Sequence, residues 1–254
     1  MPATTLRASS LRTLLYLLVF AIALLAGGIS GVIGTGSSLI LLPVLVSVYG
    51  PKAAIPIMAV AAVMGNLARA LVWWRDTDWR AALAFALPGV PAAALGARTM
   101  LSLPAWSIDA GLGVFFLTMV WVRRHLARGQ RRLSLAQLAA CGAAIGFLTG
   151  LVISTGPLSV PAFTAYGLSG GAFLGTEALS SLFLYVGKVI TFASQGALPW
   201  PVLAQGLLTG AGIMLGTALG KPLVLALSKT TYDRLLDGLL IVSGITFFWM
   251  ATRH

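Results

Sequence analysis

The stretch SGVIGTGSSLILLP, residues Ser30 to Pro43, decides how the chain is read. It lies inside an apolar region, yet Gly31, Gly34 and Gly36 fall within six positions, Thr35, Ser37 and Ser38 add short hydroxyls, and Pro43 closes it. Glycine and proline both weaken a continuous helix. In hydrocarbon every backbone amide left without a partner costs several kcal/mol, so a break there is tolerable only where protein, water or a ligand satisfies the freed groups.

The surroundings of this stretch are those of a membrane protein. Of 254 residues, 58% are hydrophobic and 9% charged, whereas a soluble domain carries about 25% charged residues. Such a chain cannot cover a water-facing surface. Apolar runs of spanning length occur at Leu14–Ile33, Ala54–Trp74, Ala81–Ala97, Trp106–Val122, Leu135–Ile153, Ala172–Ala193, Pro201–Gly220 and Leu235–Met250. Two shorter apolar pieces, Ser37–Val48 and Leu158–Tyr166, are too short to cross as straight helices. The first run follows Arg7 and Arg12 and outlasts a signal-peptide core, so it reads as an uncleaved helix.

The Gly-rich stretch has a second copy. GVIGTG is matched by GLVISTG, Pro43 by Pro161, and Tyr49-Gly50 by Tyr166-Gly167. Thr35-Gly36 and Thr155-Gly156 are 120 positions apart, as are Leu95-Gly96 and Leu215-Gly216. Ordered matches at a near-constant offset argue for internal duplication. The chain therefore divides into two homologous transmembrane halves, 1–128 and 129–254. The expected fold is all-α and polytopic, with about eight transmembrane helices and a broken or re-entrant helix after each Gly-rich break. The Arg-rich joint RRHLARGQRR places its end of the bundle in the cytoplasm. Four crossings per half would put the N-terminus and C-terminus there too. The alternative is five helices per half, arranged as inverted repeats.

The chemistry expected of the breaks is anion binding. Half-helix N-termini inside a membrane expose amide hydrogens and a partial positive charge. Gly34, Thr35, Gly36, Ser37 and Ser38 in the first copy, with Ser154, Thr155 and Gly156 in the second, are the candidate substrate-binding residues, and Ser159 adds a further hydroxyl. The alternative is plain close packing of small residues. Arg69 and Lys188 each stand five residues before the end of equivalent spans. They read as site cations or as anchors snorkelling to the interface. Glu177, inside GTEALSS, is the acid placed within an apolar run. It is a candidate proton-coupling group, or else a first-turn acid favoured by the helix dipole. Asp76 and Asp78 read as surface partners of Arg75 and Arg80. The seven tryptophans fall near span ends, as an aromatic belt requires.

Other classes find no support in the residues. Cys141 is the single cysteine, and His125 and His254 are peripheral, so no metal site, cofactor site or catalytic constellation is expected. The basic excess, 17 Lys and Arg against 6 acids, reads as membrane orientation and not as nucleic-acid binding. The expected partners are a small anion and the lipid bilayer, and a homo-oligomer is compatible with the chain.

GGISGVIGTGSSLILLP, its second copy GFLTGLVISTGPLSVP, and the segments PGVPAAALGAR and LLTGAGIMLGTALGK together resemble the TauE/SafE family of sulfite exporter-like permeases over about residues 14–250. The resemblance implies a secondary transporter of the bacterial inner membrane, not an enzyme. It implies small sulfur-containing anions such as sulfite or sulfonates as substrates, with coupling to protons. A passive anion channel and a non-transporting membrane scaffold are the alternatives.

Overall fold

Within the described residues each apolar run folds as α-helix, the only open-ended structure that satisfies its own amides in hydrocarbon. The computed structural model describes residues 16–28, 37–126, 132–151, 156–224 and 229–252. These residues form α1 (Tyr16–Gly28), α2 (Ser37–Tyr49), α3 (Pro51–Val72), α4 (Trp79–Ser102), α5 (Ala105–Leu126), α6 (Leu135–Leu151), α7 (Gly156–Tyr166), α8 (Gly170–Ser194), α9 (Trp200–Val224) and α10 (Lys229–Ala251). By length and composition α3, α4, α8 and the Trp200–Leu219 part of α9 can each cross a bilayer. The protein is an all-α, multi-pass membrane protein.

Glycines set the helix directions, because they mark where backbones touch. Gly142, Gly146 and Gly150 of α6 rest on Phe85, Gly89 and Ala93 of α4, so these two helices are parallel. The same kind of seam joins α1 to α9, where Gly212 meets Phe20 and Ala23, and Gly216 meets Leu24 and Gly28. Gly206 and Gly210 of α9 face Val60 and Met64 of α3, and Gly65 faces Ile213, so α3 runs with α9 and α1. Gly187 of α8 faces Val90, and Ala82 clusters with Ala178 and Leu179, so α8 runs with α4. Trp73 lies against Gly171 and Gly175, which makes α3 and α8 antiparallel. The contacts of Gly113 with Phe248 and of Gly244 with Leu117 make α5 and α10 antiparallel.

These directions revise the count of crossings. Ile213 meets both Gly27 and Gly65, so the end of α1 is level with the middle of α3 and its start is level with the start of α3. Helix α2 must therefore run back beside α3, turning into it at Gly50. That residue adopts φ 73°, a left-handed conformation that glycine takes without strain. Its N–H closes α2 on the Val46 carbonyl at 2.9 Å, and its carbonyl opens α3 by accepting from Ala54 at 3.0 Å. Helices α6 and α7 form a matching hairpin, tied at its open end by Leu133 N–H to the Ala165 carbonyl at 2.9 Å. Each half thus contributes a short helical hairpin followed by three long helices, and the two sets run in opposite directions. This is the inverted alternative, not the arrangement with four crossings per half.

One expectation falls with that count. The α3–α4 turn, the end of α5 and the start of α6 lie at one end of the bundle. The start of α1 and the end of α10 lie at the other. The Arg-rich joint therefore does not share a face with both termini. The short returning arm gives each set of five helices an odd number of passes, which the distribution of basic residues does not reveal.

Tryptophan marks both ends, as expected. Trp74, Trp79 and Trp121 are exposed at the first, and Trp106, Trp200 and Trp249 at the second. Asp78 departs from its expected surface pairing. Its carboxylate accepts from Ala81 N–H at 3.0 Å and caps α4, while its own N–H donates to Thr176 Oγ1 at 2.9 Å, fastening the α3–α4 turn to α8.

Candidate functional site

Helix α8 carries the site. Glu177 is its eighth residue and is 2% exposed. It is therefore neither a first-turn acid nor an interfacial one. From α3, Arg69 Nη1 donates to Glu177 Oε2 at 2.9 Å. This is the one ion pair among the described residues, and both side chains are buried. Its second guanidinium nitrogen donates to Asn66 Oδ1, one turn earlier on the same helix. Asn66 in turn donates to the Ala62 carbonyl at 2.8 Å, which fixes its amide.

The other carboxylate oxygen is held by hydroxyls. Ser181, one turn along α8, donates to Oε1 at 2.9 Å, and Ser159, one turn into α7, lies 3.2 Å from it. The carboxylate thus gathers donors from α3, α7 and α8. Two turns further along α8, the buried Tyr185 has Ser38, in the first turn of α2, near its hydroxyl. The first turn of α7 therefore rests on α8 at Glu177, and that of α2 comes near Tyr185.

Lys188 is fully buried, and its ammonium donates to the Thr149 carbonyl at 2.6 Å. That carbonyl belongs to the last turn of α6, where carbonyls lack intrahelical partners and the dipole is negative. Lys188 therefore caps α6, with the Phe192 ring 5.5 Å from its nitrogen. Neither Arg69 nor Lys188 snorkels to an interface.

The expected residues are brought together only in part. Arg69 and Glu177 meet, with Ser159 beside them. Lys188 lies eleven residues along α8 from Glu177, or about 16 Å, so the two cations do not form one cluster. Ser37 and Gly156 open α2 and α7. Gly34, Thr35, Gly36, Ser154 and Thr155 lie outside the described residues.

Several polar residues of this interior escaped the sequence reading. Ser181 follows Glu177 by four positions, a helical spacing that puts it on the same face, and this signal was available. Thr149 contributes a backbone atom, which no side-chain pattern announces. Glu177 is also not alone as a buried acid, since Asp109 and Asp237 are 0% and 9% exposed. Both lie toward the starts of their helices, α5 and α10, outside the centre of an apolar run.

A protein-family model described as Sulfite exporter TauE/SafE matches residues 19–247. No curated protein and no solved structure matches the chain.

Proposed function

The chain belongs to the TauE/SafE family, and from that premise we propose that it carries small sulfur-containing oxyanions, of the sulfite and sulfonate type, across the bacterial inner membrane with coupling to protons. It is a membrane transporter. The observation that carries the finer reading is the buried Arg69–Glu177 pair, 2.9 Å apart and surrounded by the hydroxyls of Ser159 and Ser181. A guanidinium kept from water is a strong partner for an oxyanion, and a charge in the membrane interior is costly unless it has a task. The helix N-termini at Ser37–Ser38 and Gly156 add amide hydrogens to the same region, and Gly34, Thr35, Gly36, Ser154 and Thr155 precede them in the sequence. Lys188 supplies a second positive station.

Two homologous repeats, 1–128 and 129–254, running in opposite directions suit alternating access, in which one repeat rocks against the other. The end bearing the Arg-rich joint together with exposed Arg75, Arg80 and Arg132 faces the cytoplasm by the positive-inside rule.

Purified protein in liposomes tests the reading. Labelled methanesulfonate and sulfite should enter saturably. Arg69→Ala should cut entry by at least about tenfold, the loss of one charge-assisted hydrogen bond. Equal rates for wild type, Arg69→Ala and Lys188→Ala with every anion would remove both residues from the site.

A further inference from the structure

The inference below rests on the anion-carrier reading and concerns what Glu177 does within it. Its carboxylate is a monoanion with two oxygens on one carbon. One oxygen takes the Arg69 guanidinium, and the other lies within hydrogen-bond distance of the Ser159 and Ser181 hydroxyls. Donors from α3, α7 and α8 are thus already arranged around an oxyanion, and the protein's own side chain fills the place. A sulfonate, a carboxylate or bisulfite presents the same pattern of one charge spread over two or more oxygens. A guanidinium engages an anion with two oxygens through two parallel N–H groups, which a halide with its single acceptor atom cannot match.

A second anion cannot join Arg69 while Glu177 is ionised. Two negative charges about 4 Å apart in so sheltered a place repel strongly enough to cost on the order of a thousandfold in affinity. Among the described residues the groups that face Glu177 supply no second cation to offset this. Arg69 from α3 is the cation facing it, and Asn66 beside it is neutral. Helix α7 brings Ser159, and Glu177's own helix brings Ser181 and, two turns on, Tyr185. The Asp78 carboxylate in the α3–α4 turn is engaged with Ala81 N–H, and Asp76 lies beyond it near Gly171. Helix α4 packs against α8 with apolar residues and glycine. A proton from water taken up at Glu177 Oε2 removes the repulsion. The neutral acid keeps its serine partners and releases the guanidinium.

We propose that one proton on Glu177 and one monoanionic oxyanion on Arg69 occupy the site together, so that the protein moves both in the same direction as a proton–oxyanion symporter. The charge of the site is then the same empty and loaded. A guanidinium with a carboxylate is replaced by a guanidinium with a bound anion and a neutral acid. Transport is electroneutral, and an inward proton gradient drives the anion inward.

The experiment uses liposomes containing the full chain, a trapped pH dye and labelled methanesulfonate, a strong acid that carries no proton of its own near neutrality. In the wild type the interior should acidify as the anion enters, by one proton per anion. The rate should not change when a potassium diffusion potential is imposed. In Glu177→Gln the ratio of protons to anions carried should fall toward zero. Alkalinisation on anion entry, entry without any pH change, or a strong dependence on the potential would each overturn symport, and full acidification with Glu177→Gln would overturn the assignment of the proton to Glu177, all four leaving the carrier reading in place. Absence of flux for both methanesulfonate and sulfite would overturn the carrier reading and symport together. Should Glu177→Gln fail to fold, the wild-type measurement alone decides.

Discussion

Replacing Gly146 by alanine tests the seam that orients the second hairpin. A methyl at Gly146 would lie 2.7 Å from Gly89 Cα and would also press on the Gly89 carbonyl oxygen, both backbone atoms of α4 that cannot swing aside. Carbon atoms settle at about 3.5 Å or more, so α6 must move off α4 by roughly 0.8 Å. Overpacking of this kind costs about 1–3 kcal/mol, against about 1 kcal/mol gained from the higher helix propensity of alanine. The net expectation is a loss of roughly 0–2 kcal/mol. Gly111, in α5, is the internal control, because nothing lies within 4 Å of a methyl there. Gly111→Ala should gain the propensity term alone, up to about 1 kcal/mol. Thermal denaturation in detergent should therefore move the two variants in opposite directions. The displacement also has a functional reading. Helix α8 stays on α4 through Gly187 and Val90, so shifting α6 stretches the 2.6 Å contact of Lys188 with the Thr149 carbonyl. Gly146→Ala as stable as Gly111→Ala would refute the backbone-to-backbone seam and the helix directions drawn from it.

Three further outcomes follow from the geometry. Arg69→Leu leaves the Glu177 carboxylate buried without its cation and should cost about 3–5 kcal/mol, whereas the double variant Arg69→Leu/Glu177→Leu should recover most of that; chemical denaturation of the single and double variants measures the difference, and additive losses would contradict the pairing. Asp78→Ala removes the cap of α4 and should lower stability by about 1 kcal/mol in the same assay. In a Cys141→Ser background, single cysteines at Lys52 and Arg75 should react with a membrane-impermeant maleimide from opposite sides of the membrane, and reaction from one common side would refute the opposed ends.

Much of this architecture is legible in apolar runs, because the bilayer admits only segments of a narrow length range. The ten helices fall on the eight long runs and the two short pieces. What the runs do not encode is whether a short piece continues the crossing or returns, and that choice fixes every later direction. It is made by tertiary contacts such as Gly65 and Gly27 on Ile213. The site divides in the same way. Arg69 and Lys188 stand at matching distances from the ends of their spans, and both are buried. Their separate duties, one gripping a carboxylate and the other capping α6, depend on partners 108 and 39 positions away. The burial of Asp109 and Asp237 depends on helix packing that a search along one run does not register.

The opposed directions of the two halves have an electrostatic consequence. Arg69 stands five positions from the ring of Trp74, and Lys188 stands six from the last residue of α8 at the other end, so each lies about 7–9 Å inside its own boundary. The two basic side chains are thus set at nearly the same depth from opposite ends of the bundle. Turning the bundle end over end therefore leaves the placement of its buried basic groups nearly unchanged.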